Sequence, residues 1–277
     1  MTTIKDFIKS HPLPTYYVLT FVISWGAILI AAGPGGIPVA TELRMTLGAL
    51  LVLGPSVAGI LLTGLVSGRV GLRELLARLL RWRVGGRWYA VALLTAPLST
   101  AAVLLALALL SPEFLPAIFT SDGKATLVLT GISVGLVVGF LEELGWTGFA
   151  IPRLRYGVLA TGLIAGFLWG AWHFMMFWES DSFSGALPLA LLLARLFSWL
   201  PAYRVLMVWV YDRTGSLLVA ILMHASLVAT TLIVDPVLTG GALLTYILLH
   251  AAVYWAVVAA VAAANGAQLE SRVSRTR

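Results

Sequence analysis

The chain has 277 residues, of which 60% are hydrophobic and only 11% charged. Soluble domains carry roughly 25% charged residues, so this composition excludes an ordinary soluble enzyme and leaves no room for a hidden soluble domain. There is no cysteine, which excludes disulfides, thiolate metal sites and cysteine nucleophiles. The formal charge of +6 fits cytoplasmic loops of a membrane protein rather than a nucleic-acid partner.

About 20 apolar residues span a bilayer core. On that measure the sequence predicts eight spans, near 15–33, 45–67, 88–111, 125–143, 157–178, 187–210, 215–234 and 242–264. The expected fold is a single all-α, polytopic transmembrane helical bundle over 1–277. The leader, 1–14, carries Lys5, Asp6 and Lys9, and His11 in it has no intramembrane setting. The first apolar run, Tyr16–Ala32, is long for a cleaved signal and ends in Gly33-Pro34-Gly35-Gly36 without a clear cleavage site, so it reads as a retained anchor.

The connection at 69–87 holds Arg69, Arg73, Arg78, Arg81, Arg83 and Arg87 against Glu74. The positive-inside rule makes it cytoplasmic, and with eight spans both termini are cytoplasmic too. Loops then assigned outside carry Glu113, Asp122, Glu179, Asp181 and Asp235, opposed by Lys124; the first outer loop balances Glu42 with Arg44. The tail, 265–277, is basic through Arg272, Arg275 and Arg277. Within 69–87, Leu72, Leu75, Leu76, Leu79 and Leu80 recur at helical spacing, as in an amphipathic helix lying on the inner leaflet.

Glu142 and Glu143 end the fourth apolar run. A carboxylate at bilayer depth is costly and marks a functional site. Successive helical residues point about 100° apart, so the two glutamates face different neighbours. Each of two later spans carries one histidine. His173 lies one turn after Trp169 among small residues that permit close helix contact, and His224 sits in Ala220-Ile221-Leu222-Met223-His224-Ala225-Ser226. His250 reads as a packing residue. A glutamate and two histidines on three spans can converge within a bundle. A carboxyl in a poorly hydrated pocket suits general base and acid work. The same trio, Glu142, His173 and His224, also meets the minimum ligand set of a catalytic zinc site, so a divalent metal stands open as cofactor.

Inside or beside the sixth span, Arg195 and Arg204 are charges that need partners. Arg204, ahead of Arg195, is expected to pair with Glu143; the alternative is that it snorkels to the interface. Asp212-Arg213-Thr214-Gly215-Ser216 reads as the turn that delivers the His224 helix.

From about Gly139 to Ala229 the chain resembles the CAAX-protease and bacteriocin-processing (Abi) family of intramembrane proteases. Its motifs are a Glu-Glu pair with arginine four residues after the second glutamate, then Phe-x3-His, then His-x3-Asn. This sequence has Glu142-Glu143 with Thr147, Trp169 with His173, and His224 with Val228. It thus departs from the pattern at Thr147, Trp169 and Val228, and its only asparagine is Asn265. The resemblance implies a catalytic core at 139–229 and a peptide or membrane-protein substrate, in some members lipidated. It also implies a setting in the bilayer, here the bacterial plasma membrane. Glu142 would be the water-activating base, His173 its partner, His224 the oxyanion donor and Glu143 the supporting carboxylate. Ser226 and the backbone stand as replacement donors for the missing asparagine. A rival reading is a catalytically weak or inactive membrane scaffold or immunity protein on the same fold. A proton-coupled transporter is the third, although no repeat links the two halves.

Overall fold

The computed structural model describes residues 4–32 and 47–266. Gly33-Pro34-Gly35-Gly36, Glu42, Arg44 and the basic tail at Arg272, Arg275 and Arg277 lie outside them. The described chain is all helical. The principal helices are α1 (Ile4–Ser10), α2 (Pro12–Ala32), α3 (Leu53–Leu79), α4 (Gly86–Ala108), α5 (Lys124–Gly145), α6 (Val158–Trp172), α7 (Ala186–Phe197), α8 (Leu200–Thr214), α9 (Leu217–Val234) and α10 (Gly240–Asn265). Among the described residues, seven helical stretches are long and apolar enough to cross a membrane. The protein is an integral membrane helical bundle.

Three expectations change. The fifth expected span, 157–178, is a 15-residue helix, α6, which stops at His173. At about 1.5 Å per residue it covers roughly 22 Å, less than the bilayer core of about 30 Å. The sixth span is broken: α7 ends at Phe197 and α8 restarts at Leu200. The glutamates do not end their span. After Gly145 the chain makes one π-helical turn (Trp146–Ala150) and one 3-10 turn (Ile151–Arg153), so the apolar stretch runs from Lys124 to Arg153. Glu142 and Glu143 therefore lie well inside it. Single π turns occur often at functional sites.

The basic amphipathic segment is helical, as expected, and forms the second part of α3. It continues α3 past a break at Gly68, whose φ of 60° and ψ of −152° suit glycine. Its leucines divide into two stripes. Gly71 and Leu75 are buried, Leu75 packing with Leu144, Leu217 and Ile221, with Leu79 alongside. Leu72, Leu76 and Leu80 are exposed. Arg78 anchors the segment through Nη1 to the Tyr211 hydroxyl and Nη2 to the Gly148 carbonyl, both at 2.8 Å.

Two glycine stripes bring the site helices together. Gly131, Gly135 and Gly139 on α5 meet α9 so closely that a Cβ at Gly135 would stand 2.5 Å from the Ala225 carbonyl oxygen. Gly162, Gly166 and Gly170 on α6 meet α8 and the end of α7; a Cβ at Gly166 would stand 2.5 Å from the Pro201 Cα. Without a hydrophobic drive between helices in lipid, such small-residue contacts supply much of the packing. The expected turn forms as read: Gly215 caps α8 at a φ of 59°, and the Ser216 hydroxyl accepts from the Val219 amide to start α9.

Candidate active site

The site lies where α5, α6, α8 and α9 meet. Glu142, Glu143, Arg204 and His224 are between 0% and 2% exposed, and His173 is 8% exposed. The two glutamates point to different neighbours, as their helical offset requires.

Glu143 faces α8 and α9. Arg204 Nη1 lies 2.9 Å from Oε2 and 3.0 Å from Oε1. His224 Nδ1 lies 2.8 Å from Oε1. The Thr147 hydroxyl, in the π-helical turn that follows α5, donates to Oε2. Both carboxylate oxygens are thereby satisfied without water. Arg195 lies elsewhere, paired with Glu179 at 3.2 Å.

Glu142 faces α6, where the Trp169 indole Nε1 donates to its Oε2 at 2.8 Å. The backbone carbonyl of the same tryptophan accepts from His173 Nδ1 at 2.8 Å. The indole stands edge-to-face against His173 (5.2 Å between centroids) and His224 (5.3 Å). The Arg204 guanidinium sits 4.2 Å over its ring. Arg204 Nε and Nη2 have no hydrogen-bond partner among the described residues, and the ring face supplies attraction in their place.

These contacts fix both imidazoles. A carbonyl or carboxylate oxygen only accepts, so Nδ1 carries the proton in His173 and in His224. In a neutral ring the lone pair is then on Nε2. Among the described residues no hydrogen bond engages Glu142 Oε1, His173 Nε2 or His224 Nε2. None of the three is among the sealed atoms that lack a partner.

A shared metal does not fit this arrangement. No group of three or more His, Asp or Glu side chains able to hold an ion occurs among the described residues. The zinc expectation for Glu142, His173 and His224 is therefore not supported by the grouping of the described residues. Ser226 is not placed as an oxyanion donor either: its hydroxyl donates to the Leu93 carbonyl at 2.8 Å, on α4. His250 lies apart, 3.2 Å from the Thr100 hydroxyl and stacked on Tyr246.

Residues 124–230 match the family model described as type II CAAX prenyl endopeptidase, Rce1-like. Over this segment, less than half of the chain, the sequence is similar to that family. The matched region contains Glu142, Glu143, Trp169, His173, Arg204 and His224, so the Rce1-like segment and the polar cluster coincide. A comparison with curated proteins found no match. The Rce1-like family is one of peptidases embedded in membranes, which agrees with the apolar helices around the cluster.

The hydrogen bond of Trp169 to Glu142 and the anchoring of Arg78 at Gly148 were not read from the sequence. The one-turn spacing of Trp169 and His173 was the available signal for the first. Nothing in the spacing of the arginines marked Arg78 from its neighbours.

Proposed function

We propose that the protein is an intramembrane endopeptidase that hydrolyses a peptide bond near the cytoplasmic membrane face, using water activated by Glu142 and His173. The observation that carries this reading is the set of three unpartnered atoms, Glu142 Oε1, His173 Nε2 and His224 Nε2, grouped around one indole.

Two of these atoms, Glu142 Oε1 and His173 Nε2, accept hydrogen bonds. A water between them gives one hydrogen to each and turns its oxygen lone pair toward a substrate carbonyl. As the oxygen attacks the carbonyl carbon, Glu142 takes the proton. The tetrahedral intermediate carries its negative charge on the former carbonyl oxygen. His224 lies on the opposing helix to meet it. To donate from Nε2 while Nδ1–H is given to Glu143, His224 must carry both protons; Glu143 faces that charge and holds the ring in place. Collapse of the intermediate breaks the C–N bond. Glu142 returns its proton to the leaving amine, and the products are a carboxylic acid and an amine, which depart as carboxylate and ammonium once the acid proton has passed to the amine.

The substrate we propose is a membrane-tethered peptide or membrane protein, in keeping with a prenylated C-terminal segment, and the compartment is the bacterial plasma membrane. The arginines of 69–87, which the positive-inside rule assigns to the cytoplasm, support access from that side. The test is incubation of the protein in proteoliposomes with a farnesylated C-terminal peptide and mass analysis of the products. Loss of a C-terminal tripeptide, abolished by His173→Ala, supports the reading; an intact peptide across a panel of prenylated and unprenylated sequences opposes it.

A second reading, a scaffold or immunity protein on the same fold, is favoured by one observation. Val228, one turn beyond His224, supplies no hydrogen-bonding side chain where the resemblance implies an amide.

A further inference from the structure

Trp169 touches the site at more points than any other residue in it. Its indole N–H occupies Glu142 Oε2, its carbonyl fixes the His173 tautomer, its ring packs edge-to-face with His173 and His224, and Arg204 sits over its face. It is 1% exposed, so water does not compete for the indole N–H. Rotation of the Glu142 carboxylate about its terminal bond would exchange the two oxygens. A fixed donor on one of them removes that freedom.

We infer that Trp169 is a positioning residue: by holding Oε2 through its indole N–H, it makes Oε1 the working oxygen of Glu142 and aligns it with His173 Nε2. This rests on the peptidase reading. A general base must lie within hydrogen-bond reach of the proton it takes, and terminal sp3–sp2 torsions of glutamate are broad. The glutamate torsion is therefore the soft degree of freedom in the site, and the indole is what restrains it. The helical turn between Trp169 and His173 adds a second consequence. One residue on α6 thus restrains both the carboxylate of Glu142, which comes from α5, and the ring of His173.

The test is Trp169→Phe in the full-length protein in proteoliposomes. A hydrogen bond to a charged group is removed and the ring packing is largely kept. The expected result is a fall in kcat of roughly 10- to 100-fold, with KM unchanged and a cooperative unfolding transition retained. The Glu142→Gln/Trp169→Phe double variant is expected to be no slower than Glu142→Gln alone, because the indole acts through that carboxylate. If Trp169→Phe does not fold, incorporation of benzothienylalanine at 169 keeps the fused rings and deletes only the N–H donor; the same kcat loss is expected. A full-rate Trp169→Phe or benzothienylalanine variant, or a loss confined to KM, overturns the inference. Should Glu142→Gln itself cleave at the wild-type rate, the peptidase reading fails. Should it be inert while Trp169→Phe runs at full rate, only the role of Trp169 fails.

Discussion

Arg204 and Glu143 form an ion pair between α8 and α5 with both side chains fully enclosed, Nη1 lying 2.9 and 3.0 Å from the two carboxylate oxygens. The same carboxylate holds His224 Nδ1 at 2.8 Å. Glu143 is thus the joint through which α8 steadies the imidazole on α9. Thr147, where the resemblance leads one to expect arginine, contributes a hydroxyl to this joint instead of a charge.

Removing one partner of a buried pair leaves an uncompensated charge and costs about 3–5 kcal/mol. Arg204→Met is therefore expected to lower the thermal midpoint in detergent and to abolish activity. Thr147→Arg in the same background places a guanidinium one helical turn from Glu143. Partial recovery of both stability and activity is expected, read by thermal unfolding and peptide cleavage. If Arg204→Met is as stable and active as the parent, the pair is not the joint described.

Val228 follows His224 by four residues and so shares nearly the same helix face. An amide there would add a donor for the oxyanion. A single such donor contributes about 100- to 1,000-fold in an established site, so Val228→Asn is expected to raise kcat, by roughly tenfold allowing for imperfect placement. Steady-state cleavage kinetics check this; unchanged kcat means that the oxyanion lies out of reach of position 228.

Packing of α6 on α8 depends on bare backbone at Gly166, where a Cβ would meet the Pro201 Cα at 2.5 Å and the Arg204 Cβ at 3.2 Å. Gly166→Val forces the helices apart and displaces Arg204 from Glu143. Overpacking costs about 1–3 kcal/mol, so a lowered thermal midpoint is expected together with lost activity. Gly241→Ala, at a position with open space around it, is expected to change neither.

Asp235 follows α9, beyond the span Leu217–Val234, and its Oδ1 accepts from the Tyr246 hydroxyl at 2.7 Å. Burial pushes its carboxyl up to about 7, against the lowering effect of the Tyr246 hydrogen bond. Its ordinary value in an unfolded chain is about 3.9. The folded value is the higher one, so this group's contribution to stability is complete below about pH 4 and is lost as pH rises through about 7. The thermal midpoint of the parent is expected to fall between about pH 4 and pH 7, and Asp235→Asn to flatten that part of the profile. An unchanged slope in the variant removes Asp235 as the cause.

The parts legible in the sequence are those with a high energetic cost in lipid. Glu142, Glu143 and Arg204 stand out because charge in an apolar run demands partners, and the ion pair between two of them follows from that demand. The bundle itself is legible because apolar length tracks bilayer thickness. Less was legible where a position depends on direction rather than type. Apolar composition does not show that α6 stops at His173 or that a π turn carries the glutamate helix on to Arg153. An indole in an apolar run reads as packing, and only the assembled bundle shows its N–H aimed at Glu142. The division of the leucines of 69–79 into an inward and an outward stripe likewise depends on the break at Gly68.

The central claim is that Glu142 takes the proton of the attacking water. The measurement that tests it most directly is the cleavage rate of an internally quenched, farnesylated peptide by wild-type protein and Glu142→Gln side by side in proteoliposomes, with thermal unfolding as the control for folding. Gln keeps the acceptor for the Trp169 indole but cannot take the proton. The account predicts cleavage by the wild type and a loss of at least about 100-fold in the folded variant, the lower end of what a general base contributes. Cleavage by Glu142→Gln at the wild-type rate would contradict it.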